Sequence, residues 1–478
     1  MLILRKSFGS DDNLLIIGQK TGDFRFEFLS DKENEYVNNK LKNGDKAVDI
    51  NQYNRYIFIR VLDGKNEKKD NLEKIRSIGA KMTVTLNDLK IKSAFIIHTA
   101  KNPAETLALA EGILLANYQF LKYQKDAEEK KNSLVELLVP LDVISEQDRD
   151  ELNVTIRAVF KARDLINEPL SFLSASKLSE EAQIMGKEAG FSVEVLQKPE
   201  IEALEMGGLL AVNRGSNDPP TFSILEWKPG NPVNNRPIVL VGKGVVYDTG
   251  GISLKPSSSM DSMKSDMSGA AAVLGVLYMV ASMKLPVHVI GLIPATDNMP
   301  DAKARVPGDI ITMFDGTTVE VMNTDAEGRL ILADSMAYAK KFDPALLITI
   351  ATLTGSAANA IGKQGSVMMG TADNQQLKNL METGEMVHER LAWFPFWPEY
   401  NELLKSDVAD LKNIGGKEAG AITAGKFLAN FTSAPFIHLD IAGTAYLTSN
   451  DSYRLKGGTG VGIRMLYHFL KQIKEKKK

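Results

Sequence analysis

The sequence predicts an α/β protein of two domains. A smaller N-terminal α/β domain covers residues 1–150, and a larger C-terminal domain, with a mostly parallel central sheet flanked by helices, covers 151–478, including a linker helix at 145–168. Three observations carry this. The chain has 478 residues, more than a single hydrophobic core usually organises. Beyond residue 170, near-continuous apolar runs of strand length alternate with helical runs, the pattern of a sheet covered on both faces. Before residue 150 the apolar runs are shorter and are broken by charged stretches.

The elements follow in order. Leu14 to Ile17, Tyr56 to Val61 and Ser93 to Ile97 are short apolar runs that predict strands. Residues 104–123 predict a helix, because Leu107, Leu109, Ile113, Leu114 and Tyr118 recur near the helical period. Lys125 to Ser133 is charged and polar and reads as a linker. Ser145 opens the next helix, with acids in its first turn and an apolar side of Leu152, Ile156, Val159, Phe160 and Leu165. Asn167-Glu-Pro169 ends it, since the residue before proline avoids helical angles. Further on, Pro237 to Val241, Val287 to Ile293 and Leu346 to Ile350 predict buried strands, with helices at 270–283 and 330–342 between them. In such sheets ligands gather beyond the carboxyl ends of the strands. Lys243 and Asp248 follow the first of these strands, and Thr352 to Gly355 follow the third.

Composition narrows the chemistry. Apolar content of 44% and charged content of 24% are ordinary for a globular chain, and a formal charge of −3 argues against nucleic acid as the main partner. There is no cysteine, which removes disulfides, thiolate zinc sites and cysteine nucleophiles. The five histidines, His98, His288, His388, His438 and His468, show no His-x-x-x-His spacing, so any metal must be held mainly by oxygen. Charge follows the first four residues, and the longest apolar run noted, Ala345 to Leu353, is too short to span a bilayer, so no membrane partner and a cytoplasmic location are expected. The basic run Lys474 to Lys478 reads as a solvated helix end.

Two clusters carry chemistry. Val241-Gly-Lys-Gly-Val-Val-Tyr-Asp-Thr-Gly-Gly-Ile-Ser-Leu-Lys-Pro256 holds Lys243, Asp248 and Lys255 among four glycines, and Asp266 follows shortly after. Asn323-Thr-Asp-Ala-Glu-Gly-Arg329 sets Asp325, Glu327 and Arg329 at the mouth of a predicted helix. A phosphate loop fails here because Pro237 stands where its first glycine belongs, and a nucleophile elbow fails at Lys255. Taken singly, Asp248 would be a turn or cap residue, Asp266, Asp325 and Glu327 helix-start acids, and the lysines solvated surface groups. Four acids and two glycine-embedded lysines on loops of one sheet fit that reading poorly. They suit a pair of divalent cations ~3.5–4 Å apart that polarise a carbonyl and activate a shared water. A dication favours the neutral form of a nearby lysine, so one lysine can serve as a ligand and the other as a charge stabiliser. Arg329 is a fork for an anion. The residues reach metal-assisted hydrolysis and stop short of the substrate.

At these positions the chain resembles the leucyl aminopeptidase, or cytosol aminopeptidase, family. Asn323 to Leu330 matches that family's signature octapeptide in full. Val241 to Gly244, Asp248 to Pro256, Met263 to Met267, Ala162 to Pro169, Asn298 to Pro300, Thr352 to Gly355 and His438 to Gly443 match in order, over roughly 160–478. The resemblance implies a metal-dependent aminopeptidase acting on peptides with a free N-terminus, leucine among the residues released. Lys243 and Asp266 would bind the tighter ion, Asp325 the more exchangeable one by side chain and backbone carbonyl, and Asp248 and Glu327 both. Zinc or manganese is expected, with magnesium and cobalt as further candidates. Lys255 would stabilise the oxyanion, and Arg329 would hold a bicarbonate acting as general base. Met263, Thr352 and Gly355 would border the substrate side chain and amine. A homohexamer is implied, with the N-terminal domain at its periphery and the active sites facing an inner cavity. Tyr247, Ser268 and Val306 depart from common residues of the family, and none is an implied ligand. Two rival readings are a DNA-binding or scaffold protein without activity and a binuclear phosphoesterase; the complete set of implied ligands and the net charge disfavour the first.

Overall fold

A computed structural model describes residues 1–19, 24–62 and 68–473; the basic run Lys474 to Lys478 lies outside the described residues. The chain divides into two compact units, Met1–Arg157 with Asn450–Leu455, and Ala158–Ser449 with Lys456–Lys478.

The first unit is built on a six-stranded sheet in the order Leu2–Arg5, Glu136–Pro140, Ser93–His98, Asn13–Gln19, Tyr56–Leu62, Ala47–Asn51. All its pairings are parallel except that of the edge strand Ala47–Asn51. The three strands expected from sequence lie in this sheet. The helix expected over 104–123 runs from Pro103 to Ala116 and stops at Asn117, whose side-chain amide donates to the Leu134 carbonyl at 2.9 Å. The charged stretch 125–133 leads into Glu136–Pro140 of the same sheet, so it is a connection inside this unit rather than a linker between domains. Helix Glu146–Asn167 begins where expected: Ser145 Oγ accepts from the Asp148 amide at 3.1 Å, and the Asp148 carboxylate accepts from the Ser145 amide at 3.3 Å.

The second unit carries a nine-stranded sheet. Its centre is four parallel strands, Phe436–Asp440, Leu346–Ala351, Ile238–Gly242 and Val289–Asn298. Antiparallel strands flank it: Ser366–Gly370 on one side, Thr221–Trp227 and Ser192–Leu196 on the other. The core strands are buried on both faces, which is why they read as unbroken apolar runs. Alternation sorts their side chains between two helices. Val239, Val241, Ile290 and Leu292 pack with Leu330, Ile331 and other residues of helix Gly328–Ala339. On the opposite side, a side chain at Gly291 would meet Val273 and Leu277 of helix Ser268–Ser282. Among the described residues one stretch, Met263–Ser282, is long and apolar enough to cross a membrane; 94% of its apolar window is buried inside the protein, so it is a core helix.

The parallel core fixes where chemistry can gather. Lys243, Asn298, Thr352 and Asp440 stand at or just past the carboxyl ends of its four strands. Helix Ser268–Ser282 approaches this edge without clearance. A methyl at Gly269 would lie 2.0 Å from the Ile350 carbonyl, and one at Gly242 would lie 2.6 Å from the Gly269 carbonyl. In the space those glycines leave, the Lys243 amide donates to Ile350 O at 3.0 Å and the Ala270 amide to Lys243 O at 2.9 Å.

Candidate metal centre

The acids arrive from three places in the chain, Asp325 and Glu327 sharing one loop. Asp248 ends strand Gly244–Asp248 and is followed by Gly250 and Gly251 at φ +87° and +67°, angles that favour glycine and turn the chain back towards Lys255. The Gly250 amide and Asn298 Nδ2 both donate to Asp248 Oδ1 at 2.8 Å. Asp266 closes the 3-10 turn Met263–Ser265. It is not a helix cap, since the cap position of the next helix is Met267. Glu327 does occupy the cap position of helix Gly328–Ala339, yet its side chain makes no capping bond. A capping hydrogen bond therefore explains neither acid.

The side chains meet instead. Lys243 Nζ lies 2.6 Å from Asp266 Oδ2 and 2.8 Å from Glu327 Oε1, and donates to the Thr352 carbonyl at 3.0 Å. Lys255 Nζ lies 2.8 Å from Asp248 Oδ2 and is also paired with Asp325. One oxygen each of Asp248, Asp325 and Glu327 falls within 4.8 Å of the others, a spacing that can hold a metal ion. Asp266 stands outside this trio and joins it through Lys243. Lys243, Asp248, Asp266 and Glu327 are buried, while the side chain of Asp325 keeps a third of its surface exposed.

The electrostatics show a cluster short of positive charge. Burial, then repulsion from Glu327, pushes the Asp248 carboxyl above its usual range. Burial pushes Asp266 well above it against the pull of Lys243, with Glu327 and Asp248 adding. Burial and Asp248 lift Asp325 to about 6. Glu327 is held below its ordinary value: burial works to raise it, but Lys243 and Lys255 outweigh that. Lys243 and Lys255 are both raised, because facing carboxylates overcome the burial that would lower them. Glu327 Oε2 is buried and makes no hydrogen bond. Oxygen donors crowded beyond the reach of two ammonium groups are what divalent cations neutralise, so the donor set fits such ions.

The remaining expected residues fall around this core. Arg329 is buried; Nη1 donates to the Asn413 carbonyl at 2.5 Å, Nε has no partner, and burial lowers its pKa to about 10. Thr352 is joined to the centre, donating from Oγ1 to Asp266 Oδ1 at 2.7 Å. Met263 begins the turn that ends in Asp266. Gly355 opens the short helix Gly355–Ile361 with clear space above its Cα, and no bond ties it to the cluster.

Sequence reasoning assigned no role to Asn298, Thr324, Arg305, Asn413 or His438. Asn413 accepts from the Met322 amide and donates to Asn323 O, both at 2.8 Å, and so holds the signature loop from 84 residues beyond Arg329. His438 is fully buried on strand Phe436–Asp440, bonded through Nδ1 to Thr349 Oγ1 at 2.8 Å, with no partner for Nε2. Burial, with Arg329 nearby, pulls its pKa down to about 3. An unfolded histidine takes its proton near pH 6.5, and this one does so only near 3, so the unfolded state binds more protons between those values and stability is lost as pH falls through that window. The loss should reach roughly 2 kcal/mol by about pH 5. His438→Gln should remove that part of the pH slope of urea unfolding; an unchanged slope would mean the ring is protonated in the folded state.

The profile described as "Cytosol aminopeptidase family, catalytic domain" matches residues 160–467. A probable cytosol aminopeptidase of Chlorobium limicola is 43% identical over 421 residues, covering 83% of this chain and 83% of its own. One of Chlorobaculum tepidum is 46% identical over 389 residues, covering 78% and 76%. Among solved structures, a mutant of tomato leucine aminopeptidase superposes with a TM-score of 0.85 at 26% identity, covering 99% of this chain and 96% of its own. The bottromycin maturation enzyme BotP in complex with Mn does so with a TM-score of 0.84 at 28% identity, covering 97% and 99%. The buried carboxylates at the carboxyl edge of the sheet thus lie in a matched catalytic domain, and the chain belongs to the cytosol aminopeptidase family of metallo-aminopeptidases.

Proposed function

We propose that this chain hydrolyses the N-terminal peptide bond of peptides, releasing leucine-type residues among others, with two divalent ions held by Lys243, Asp248, Asp266, Asp325 and Glu327. The observation that carries the reading is the charge deficit: four carboxylates converge on two ammonium groups, with a buried Glu327 oxygen unpaired. Lys243 and Asp266 would take the tighter ion, Asp325 the exchangeable one, and Asp248 and Glu327 would bridge. Zinc or manganese suits this donor set, with magnesium or cobalt as alternatives. When bound, such ions polarise the scissile carbonyl and lower the pKa of a shared water.

The chain's own groups would do the rest. With its carboxylate partners turned to metal, the Lys255 ammonium would meet the charge developing on the carbonyl oxygen. Arg329, a buried cation bonded to a backbone carbonyl, has capacity for a bicarbonate, which would supply a general base. Met263, Thr352 and Gly355 would border the substrate side chain and amine. The same reading makes 151–478 the catalytic domain and 1–150 the periphery of a cytoplasmic homohexamer, both by resemblance to the family.

The test is metal-stripped protein assayed on a panel of amino-acid anilides and a phosphate monoester, with each cation added back singly. Turnover of leucine anilide with zinc or manganese, and none of the ester, is expected; the reverse would overturn the proposal. Glu327→Gln should weaken metal binding by at least about tenfold, ~1.4 kcal/mol, because a charged donor becomes a neutral one. Elemental analysis after gel filtration reads it, and full occupancy would remove Glu327 from the ligand set.

A further inference from the structure

We propose that Arg305 is a positioning residue for the metal centre: its guanidinium fixes the Thr324 carbonyl and thereby the stretch of backbone that presents Asp325. The proposal rests on the metal reading above. Arg305 is 2% exposed and, among the described residues, forms no ion pair with a carboxylate. Its Nη2 donates to Thr324 O at 2.7 Å and its Nη1 to Ala211 O at 3.3 Å, while Nε has no partner. Burying a cation without an acid beside it is expensive, and carbonyl oxygens return only part of the cost. Such a group is out of place in an ordinary core and suits a site whose negative charge lies just beyond. Glu327 and Asp248 are the acids whose fields act most on it, while burial lowers its pKa to about 10.

Thr324 is the hub of this arrangement. It is fully buried, one residue before Asp325. Its Oγ1 donates to Gly250 O at 2.6 Å and accepts from the Ser253 amide at 2.8 Å; its own amide donates to Ser253 Oγ at 3.2 Å. Those bonds tie the loop between Asp248 and Lys255 to the loop bearing Asp325 and Glu327. Asn298 Nδ2 spans the same gap, reaching Asp248 Oδ1 at 2.8 Å and Thr324 O at 3.2 Å. The Thr324 carbonyl therefore keeps only the longer amide bond if Arg305 is lost. Arg305 also anchors the hub to the last turn of helix Gly207–Asn213, a rigid element outside both loops. Groups that orient ligands in this way typically control metal affinity by about 10–100-fold.

The experiment titrates metal-stripped full-length protein with Mn²⁺ against a fluorescent chelator, for wild type and Arg305→Met. The Mn²⁺ EPR spectrum and the melting temperature of the stripped protein are recorded alongside. The expected result is about 10–100-fold weaker binding in Arg305→Met and an altered EPR spectrum. Wild-type affinity and spectrum in a folded Arg305→Met protein would overturn the proposal, even with a lowered melting temperature, since that pattern belongs to a structural role alone. If Arg305→Met does not fold, Arg305→Gln, which keeps an amide donor and loses the charge, is judged by the same two readouts. Wild-type protein that binds no Mn²⁺ would instead sink the metal reading itself.

Discussion

Lys255→Met should lower kcat by about 10²–10³-fold, ~2.7–4 kcal/mol, while the protein keeps its metal. The two effects separate because Lys255 plays opposite parts in the stripped and the working site. In the structure its ammonium neutralises Asp248 and Asp325, both of which are otherwise pushed towards protonation by burial. That competes with any cation for the same oxygens. Methionine fills a similar volume without charge, so metal affinity should hold or tighten. Turnover should collapse, because no ammonium remains to meet the oxyanion. In the stripped protein the substitution leaves the buried Asp248 Oδ2 without its cation, so the comparison is made on metal-loaded protein. Steady-state kinetics on leucine anilide, with metal content measured on the same sample, decides the matter. Unchanged turnover at full occupancy would remove Lys255 from the chemistry; lost turnover with lost metal would make it structural.

The sequence made the centre legible where a charged side chain interrupts an apolar or glycine-rich run, because burying such a residue has no cheap explanation. Lys243, Asp248 and Lys255 stand out that way, whereas Asp325, Glu327 and Arg329 stand out by their crowding at the mouth of a helix. The parallel core was legible for a related reason: strands covered on both faces cannot alternate, and Ile238–Gly242 and Leu346–Ala351 do not. The flanking antiparallel strands Ser192–Leu196 and Thr221–Trp227 were not foreseen; the former is only partly buried and carries no continuous apolar signal. The supporting layer was silent. Asn298, Arg305 and Asn413 act on backbone carbonyls and amides far along the chain, and a partner that is a peptide group leaves no trace in side-chain spacing. Stretch 125–133 misled for a different reason: polar composition reports exposure, and a loop inside a unit is as exposed as a loop between units.

Gly328→Ala should damage the centre by crowding Lys243. Gly328 has an ordinary backbone, since it is not among the positive-φ glycines, so alanine brings no strain there. Alanine gains at most about 1 kcal/mol of helix propensity, less than the roughly 1–3 kcal/mol that overpacking a filled site costs, so the melting temperature of the stripped protein should fall modestly. The obstacle is clearance. A methyl on Gly328 would lie 2.5 Å from Lys243 Cε and 2.8 Å from both Cδ and Nζ, where carbon atoms in contact normally sit ~3.5–4.0 Å apart. Lys243 cannot yield easily: it is 3% exposed, its backbone is pinned between Ile350 and Ala270, and its amine is bonded to Asp266, Glu327 and Thr352. The amine must then leave the position from which it would bind metal, and a displacement near 1 Å is enough to cost about 10²-fold in turnover. Metal titration and melting of the same variant give the answer together. Weaker metal binding by a protein that still folds, with a modestly lowered melting temperature, is expected. Wild-type affinity would mean that the Lys243 stem swings aside and that its present position is not required by the centre.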